Sequence, residues 1–180
     1  GQGGTVHLFE RDCSVQIRNQ KVIEIAPAAG LDIVLRARLH ADAVKLAEAA
    51  DYANAGTVEF LVSPETGEHY FIECNPRIQV EHTVTEEVIG VDLVQSQFRI
   101  AAGASLADLG LANQGAVGDP RGYAVQARVV AQGAGTITGY KEPSGVGGRG
   151  DACGYQGLAP PPQVDPLVAK LIGTSRNGSS

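Results

Sequence analysis

The stretch "IECNPRIQVEHTVTEE", residues 72–87, constrains this chain more than any other segment. Glu73, Asn75, Arg77, Gln79 and Glu81 fall at every second position, with Ile78 and Val80 between the last three. Period-two alternation is the mark of a half-buried strand, with one face apolar and one face wet. Here the wet face would carry two carboxylates, two amides and a guanidinium. Upstream, "GTVEFLVSPETGEHYFIECN" reads as two strands joined by a turn containing proline and glycine. Pairing Gly56–Val62 with Glu68–Asn75 about Thr66 sets Glu59 opposite Glu73, at about 5 Å between Cβ atoms. Val58, Phe60, Tyr70 and Ile72 are expected on the other face. Like charges so placed repel unless a cation joins them. With Asn75 they make a set of hard oxygen donors that suits a divalent metal such as Mg²⁺. The alternative is a solvated sheet face. If the backbone stays extended past Pro76, Arg77 and Gln79 form an anion clamp beside Glu81, a carboxylate base, and together they could orient a small oxyanion and remove its proton.

The surrounding elements follow from periodicity. Val6, Leu8, Val15 and Ile17, then Lys21 to Ile25, predict strands around a polar turn, ending at Pro27. Leu35, Leu39, Ala43, Leu46 and Ala50 predict a helix capped by Asp32. Thr85 is expected to open a short helix that stops at Gly90. A further helix from Asp92 would use Val94, Phe98 and Ala101 and end at Gly103. After a turn-rich connection, a domain boundary is placed near Gly118, giving units 1–118 and 119–180. The fold class expected is α+β.

Composition narrows the function. Net charge is −6, against a protein that holds a phosphate backbone through clustered cations, so no nucleic-acid partner is expected. Three widely spaced cysteines suit free thiols in a reducing compartment. No apolar run is long enough to span a bilayer, so no membrane partner is expected either. A cytoplasmic location is expected, or the mitochondrial matrix in a eukaryote.

Beyond the alternation, "FERDCSVQIRNQKVIEIAPA" and "GTVEFLV…YFIECNPRIQVEHTVTEEVIGVDLV…IAAGASL" resemble the biotin carboxylase component of biotin-dependent carboxylases, across residues 5–173. The resemblance implies part of an ATP-grasp domain, an antiparallel sheet with flanking helices, followed by an incomplete C-terminal domain. It implies ATP-dependent carboxylation of biotin by bicarbonate through carboxyphosphate. Glu59, Glu73 and Asn75 would hold Mg²⁺ or Mn²⁺ on the nucleotide phosphates. Lys21, Arg77, Gln79 and Val80, the last through its backbone, would bind bicarbonate, and Glu81 would take its proton. Arg128 would steady the biotin enolate. A biotin carboxyl carrier domain, a carboxyltransferase and the N-terminal half of biotin carboxylase are the partners implied.

Departures from the family pattern are local. Asn19 stands where the family has a histidine that contacts the nucleotide, and Ile17 where it has an arginine. Val130, Ala131 and Gln132 replace an Asn-Ala-Glu-Asp run, and a short segment before "GTITGY" is missing. The glycine-rich lid of the family does not occur in the sequence, so weak or no turnover by the chain alone is expected, together with self-association through uncovered surface. Two other readings stand beside the ligase: a non-catalytic interaction module, and an ATP-grasp ligase for another carboxylic acid. "GVGGRG", residues 145–150, fits a dinucleotide fingerprint only formally and is read as a turn or loop. His82 is a candidate to orient Glu81, Cys74 is expected in the core, and Asp165 and Lys170 are left aside as ion-paired structure.

Overall fold

The computed structural model describes residues 3–160 and 166–176. Asp165 and the terminal residues 177–180 lie outside the described residues. The described residues form two antiparallel sheets, a five-stranded sheet in the order β1 (Asp12–Ile17), β2 (Gln20–Ala26), β5 (Tyr123–Val130), β7 (Leu167–Ser175), β6 (Gly148–Ala152), and a two-stranded hairpin of β3 (Thr57–Val62) and β4 (His69–Asn75). β1 (Asp12–Ile17) and β2 (Gln20–Ala26) are joined by Arg18 and Asn19, both at positive φ, 51° and 64°. Two consecutive left-handed residues are what a type I′ hairpin demands, and asparagine tolerates that region better than most residues. The predicted strand around Val6 and Leu8 does not form. Leu8 packs against the core from irregular backbone instead.

α1 (Ile33–Ala49) begins as expected, with Asp32 Oδ1 accepting from the amides of Val34 and Leu35 at 3.0 Å each. Leu35 and Leu39 are buried, whereas Leu46 is not. Asp32→Ala is expected to cost about 1 kcal/mol by orphaning two first-turn amides, measurable as a lowered denaturation midpoint.

β3 (Thr57–Val62) and β4 (His69–Asn75) pair with Glu59 opposite Glu73, the register the turn implies. A bulge between Glu59 and Phe60 then shifts the ladder, so that Phe60 faces Phe71 and Leu61 faces Tyr70. The expected grouping of Phe60 with Tyr70 and Ile72 is therefore wrong beyond the bulge. One extra residue on one strand reverses which side chains share a face. Cys74 is exposed rather than in the core, because no described element covers that part of the two-stranded sheet.

The extended run also stops at Asn75. Arg77 sits in a bend, Val80 and Glu81 in a turn, and α2 (His82–Ile89) starts three residues before Thr85. Burial is the reason: Val84, Thr85, Val88 and Ile89 form one helical face that packs on Ala26 of β2, Ala124 of β5 (Tyr123–Val130) and Ile172 of β7 (Leu167–Ser175). Burying each such valine or isoleucine is worth about 1.5–3 kcal/mol. Gly90 closes α2 in the left-handed region at φ 76°. α3 (Leu93–Ala101) is capped by Asp92, but its apolar residues Val94 and Phe98 are exposed. The last short helix, α4 (Gln114–Val117), leads through Gly118 into β5. The large sheet thus takes strands from both sides of Gly118. Within "GVGGRG", Gly148 opens β6 (Gly148–Ala152), so half of the expected loop is strand. No helix among the described residues is long and apolar enough to cross a membrane.

Candidate functional site

The turn into α2 sets Glu81, the residue just before the helix, against the middle of the large sheet, and Glu81 is only 2% exposed. Its side chain makes no capping bond to the helix. Instead Lys21 Nζ donates to Glu81 Oε1 at 2.7 Å, and the Arg128 guanidinium donates to Oε2 at 3.0 Å. Lys21 also reaches across to Glu59 Oε1 at 2.7 Å. Gln79 Nε2 donates to the same Glu59 oxygen at 2.8 Å, and Gln79 Oε1 accepts from Arg11 at 2.8 Å. One continuous run of hydrogen bonds therefore links Arg11, Gln79, Glu59, Lys21, Glu81, Arg128 and Glu24. Its members come from the segment before β1, from β2, β3, β5 and the turn into α2.

The Lys21 ammonium is a cation beside Glu59, of the kind two facing carboxylates need. Asn75 Nδ2 also bridges the two facing carboxylates, at 3.2 Å from Glu59 and 2.8 Å from Glu73. Glu59, Glu73 and the Asn75 carbonyl oxygen remain a hard-oxygen set suited in kind to Mg²⁺ or Mn²⁺. Among the described residues no group of three or more His, Cys, Asp and Glu side chains is placed to hold a metal, so such an ion would have to draw further oxygens from a ligand.

The electrostatics favour the charged forms of Glu81, Glu59 and Lys21. Burial pushes Glu81 up, but the hydrogen bond from Lys21 and the charge of Arg11 outweigh it and hold the carboxyl below its ordinary value. Glu59 is likewise lowered, burial being outweighed by hydrogen bonds from Lys21 and Gln79. Burial opposes the charge on Lys21, yet its two carboxylate partners raise its pKa. The Cys13 thiol, with Sγ 4.0 Å from Glu81 Oε1, is pushed up to about 11, chiefly by burial. It stays a neutral thiol at physiological pH.

Other expected members sit at the edge. Arg77 is exposed and donates to Asn75 Oδ1 at 3.4 Å and to the Ile78 carbonyl at 3.1 Å, not to Gln79 or Glu81. Asn19 is exposed in the β1–β2 turn, two residues before Lys21. The Val80 carbonyl accepts from Lys170 Nζ at 3.1 Å, which brings the lysine set aside in the sequence into this neighbourhood. His82 does not touch Glu81; its Nδ1 lies 2.8 Å from the Gln79 carbonyl, and Nε2 faces Glu86. Arg11, Glu24 and Gln126 escaped the sequence reading. The one available signal was Glu24 itself, a lone carboxylate inside the apolar run "VIEIA".

Residues 1–109 match the family described as carbamoyl-phosphate synthase L chain, ATP binding domain. The chain is 49% identical to pyruvate carboxylase of Pichia angusta over 97% of its own length and 15% of that protein's. It is 48% identical to the human mitochondrial pyruvate carboxylase over the same shares. Among solved structures, the biotin carboxylase domain of a single-chain bacterial carboxylase superposes with a TM-score of 0.93 at 46% identity, covering 98% of this chain and 41% of that one. The biotin carboxylase domain dimer of Hydrogenobacter thermophilus 2-oxoglutarate carboxylase, solved with MgADP, ADP and bicarbonate, gives 0.89 at 41% identity, over 97% and 39%. The chain belongs to the carbamoyl-phosphate synthase L chain ATP-binding domain family, with an ATP-grasp type fold. Within that family it fits the biotin carboxylase portion of carboxylases such as pyruvate carboxylase.

Proposed function

We propose that these residues supply the bicarbonate and biotin side of a biotin carboxylase active site. The complete domain would carboxylate biotin with bicarbonate and MgATP. The observation that carries this reading is the meeting of Lys21, Glu59, Gln79 and Arg128, four polar heads from separate segments, in one hydrogen-bonded cluster with the buried Glu81 carboxylate. A bicarbonate ion entering between Lys21, Gln79 and Arg77 would be oriented by their N–H donors. Glu81, held as a carboxylate, would accept its proton, and the freed oxygen would attack the γ-phosphorus of ATP with ADP leaving. Lys21, its charge reinforced by two carboxylates, would offset the negative charge that builds on the bicarbonate oxygens. The metal ion, held by Glu59, Glu73 and Asn75, would neutralise phosphate charge. After carboxyphosphate breaks down to carbon dioxide and phosphate, the released phosphate would take the proton of the biotin ring N–H and that nitrogen would attack carbon dioxide, while Arg128 donates to the ureido oxygen.

Residues 1–118 and 119–180 are read as portions of the ATP-grasp and C-terminal units. The chain spans 15% of the curated pyruvate carboxylases it matches, so the activity proposed is that of the complete domain. Carrier and carboxyltransferase domains are its expected partners. A second reading, an interaction module without turnover, is favoured by the exposed apolar side chains Leu61, Tyr70, Phe71 and Ile72 on the β3–β4 hairpin, which suit contact with further polypeptide.

Bicarbonate-dependent ATP hydrolysis stimulated by free biotin, measured with the remainder of the domain present, separates the two. The ligase reading expects stimulation, and its loss on Arg77→Ala. Absence of any bicarbonate-dependent hydrolysis in the assembled domain leaves the interaction module.

A further inference from the structure

Glu24 has no part in the chemistry above, yet it is fully buried, at 0% exposure. Its Oε1 accepts from the Arg128 guanidinium at 2.6 Å, and its Oε2 accepts from Gln126 Nε2 at 2.9 Å. Gln126 faces Glu24 directly in the β2–β5 ladder, is itself fully buried, and takes a hydrogen bond from the buried Thr83 hydroxyl of α2. Arg128 lies two residues further along β5, on the same face as Gln126.

We propose that Glu24 is a positioning residue that holds the Arg128 guanidinium in place for biotin while Glu81 is protonated. The assignment of Arg128 to biotin rests on the function proposed above; the anchoring itself rests on the contacts. Glu81 is shared by two cations, and each cation has a second carboxylate of its own. Lys21 has Glu59 and Arg128 has Glu24. When Glu81 accepts a proton, its pull on both cations falls. Lys21 is then kept by Glu59 and Arg128 by Glu24, which leaves one edge of the guanidinium free to donate to a ureido oxygen. Glu24 can serve this way because it cannot swing out: Gln126, itself held by Thr83, fixes its second oxygen from behind, and burial excludes water as a substitute partner. A guanidinium on a long, flexible stem pays rotamer entropy each time it must be re-aimed, and a fixed carboxylate removes that cost.

Glu24→Gln keeps the shape and one acceptor oxygen while removing the charge. In the complete domain it is expected to raise the KM for free biotin by about tenfold or more, with kcat and biotin-independent, bicarbonate-dependent ATP hydrolysis altered by less than about threefold. Equal losses in both activities would mark a merely structural role and overturn the proposal, as would an unchanged biotin KM. Thr83→Val, a milder change that loosens Gln126, is expected to raise the same KM by about twofold. It serves if Glu24→Gln does not fold, and an unchanged KM there would count equally against the anchor. ¹⁵N NMR of the Arg128 Nε–H group reports on the anchor without turnover. Its resonance is expected to move in either variant, and no movement would refute the contact. If the unmodified domain shows no biotin-stimulated turnover, the functional reading fails while this resonance still decides the role of Glu24.

Discussion

Replacing Glu81 by glutamine is expected to lower bicarbonate-dependent ATP hydrolysis by about 10²–10⁴-fold, the range ascribed to a positioned general base. Glutamine has the same length and still offers an oxygen to Lys21. Its amide cannot accept a proton from bicarbonate. Val84, Val88 and Ile89 pack α2 on the sheet whatever stands at position 81, so the fold should survive. The KM for ATP should hold too, because Glu59, Glu73 and Asn75 are untouched. Turnover under saturating ATP and bicarbonate, with circular dichroism as the control, decides the matter. A Glu81→Gln enzyme retaining more than about a tenth of the parental rate would remove Glu81 from the role of base.

Lys21→Met is expected to be strongly destabilising. It leaves Glu59 and Glu81 without the ammonium that joins them, each at 2.7 Å. Breaking a buried ion pair by removing one partner costs about 3–5 kcal/mol. Here the Lys21 and Glu59 side chains retain 18% and 24% exposure, so about 2–3 kcal/mol is the better expectation. For a chain of this size that lowers Tm by about 4–12 °C. The loss should depend on pH in a defined direction. Glu59 and Glu81 are held below the ordinary 4.5, so their stabilisation is present above that value and disappears as pH falls through their lowered pKa values. Lys21 is raised above 10.5, so its contribution is complete below 10.5 and disappears as pH rises through the raised value. The gap in Tm between parent and variant should therefore be widest between these limits and close in acid. A variant that melts within about 1 °C of the parent at neutral pH would contradict the bridging role.

What could be seen in the sequence was what depends on neighbours along the chain. The facing of Glu59 and Glu73 follows from one turn and one alternation, and Asp32 caps α1 because the capping bonds span two and three residues. What could not be seen depends on distant pairing. Glu24 and Gln126 are 102 residues apart in sequence, and only the β2–β5 ladder makes them neighbours. The extended reading past Pro76 failed for the same reason. Whether residues 76–81 continue a strand depends on an adjoining edge, and the sheet offers none there. The apolar face of Val84, Thr85, Val88 and Ile89 found burial by starting a helix at His82 instead. Even so, the turn delivers Gln79 and Glu81 to Glu59 and Lys21, the meeting that alternation suggested by another path. Arg77 was left outside it, because the bend aims its guanidinium back at Asn75. Cys74 was misplaced because alternation cannot reveal that a two-stranded sheet has an uncovered face.

Oxygen tracing is the most direct test of the chemistry assigned to Glu81 and its neighbours. With ¹⁸O-labelled bicarbonate and unlabelled ATP, attack of a bicarbonate oxygen on the γ-phosphorus, followed by C–O cleavage, must leave one labelled oxygen in the phosphate released. The account predicts one bicarbonate-derived oxygen per phosphate in the complete domain, and loss of that phosphate in Glu81→Gln. Phosphate carrying oxygen from water alone, under conditions where ATP is consumed, would contradict it.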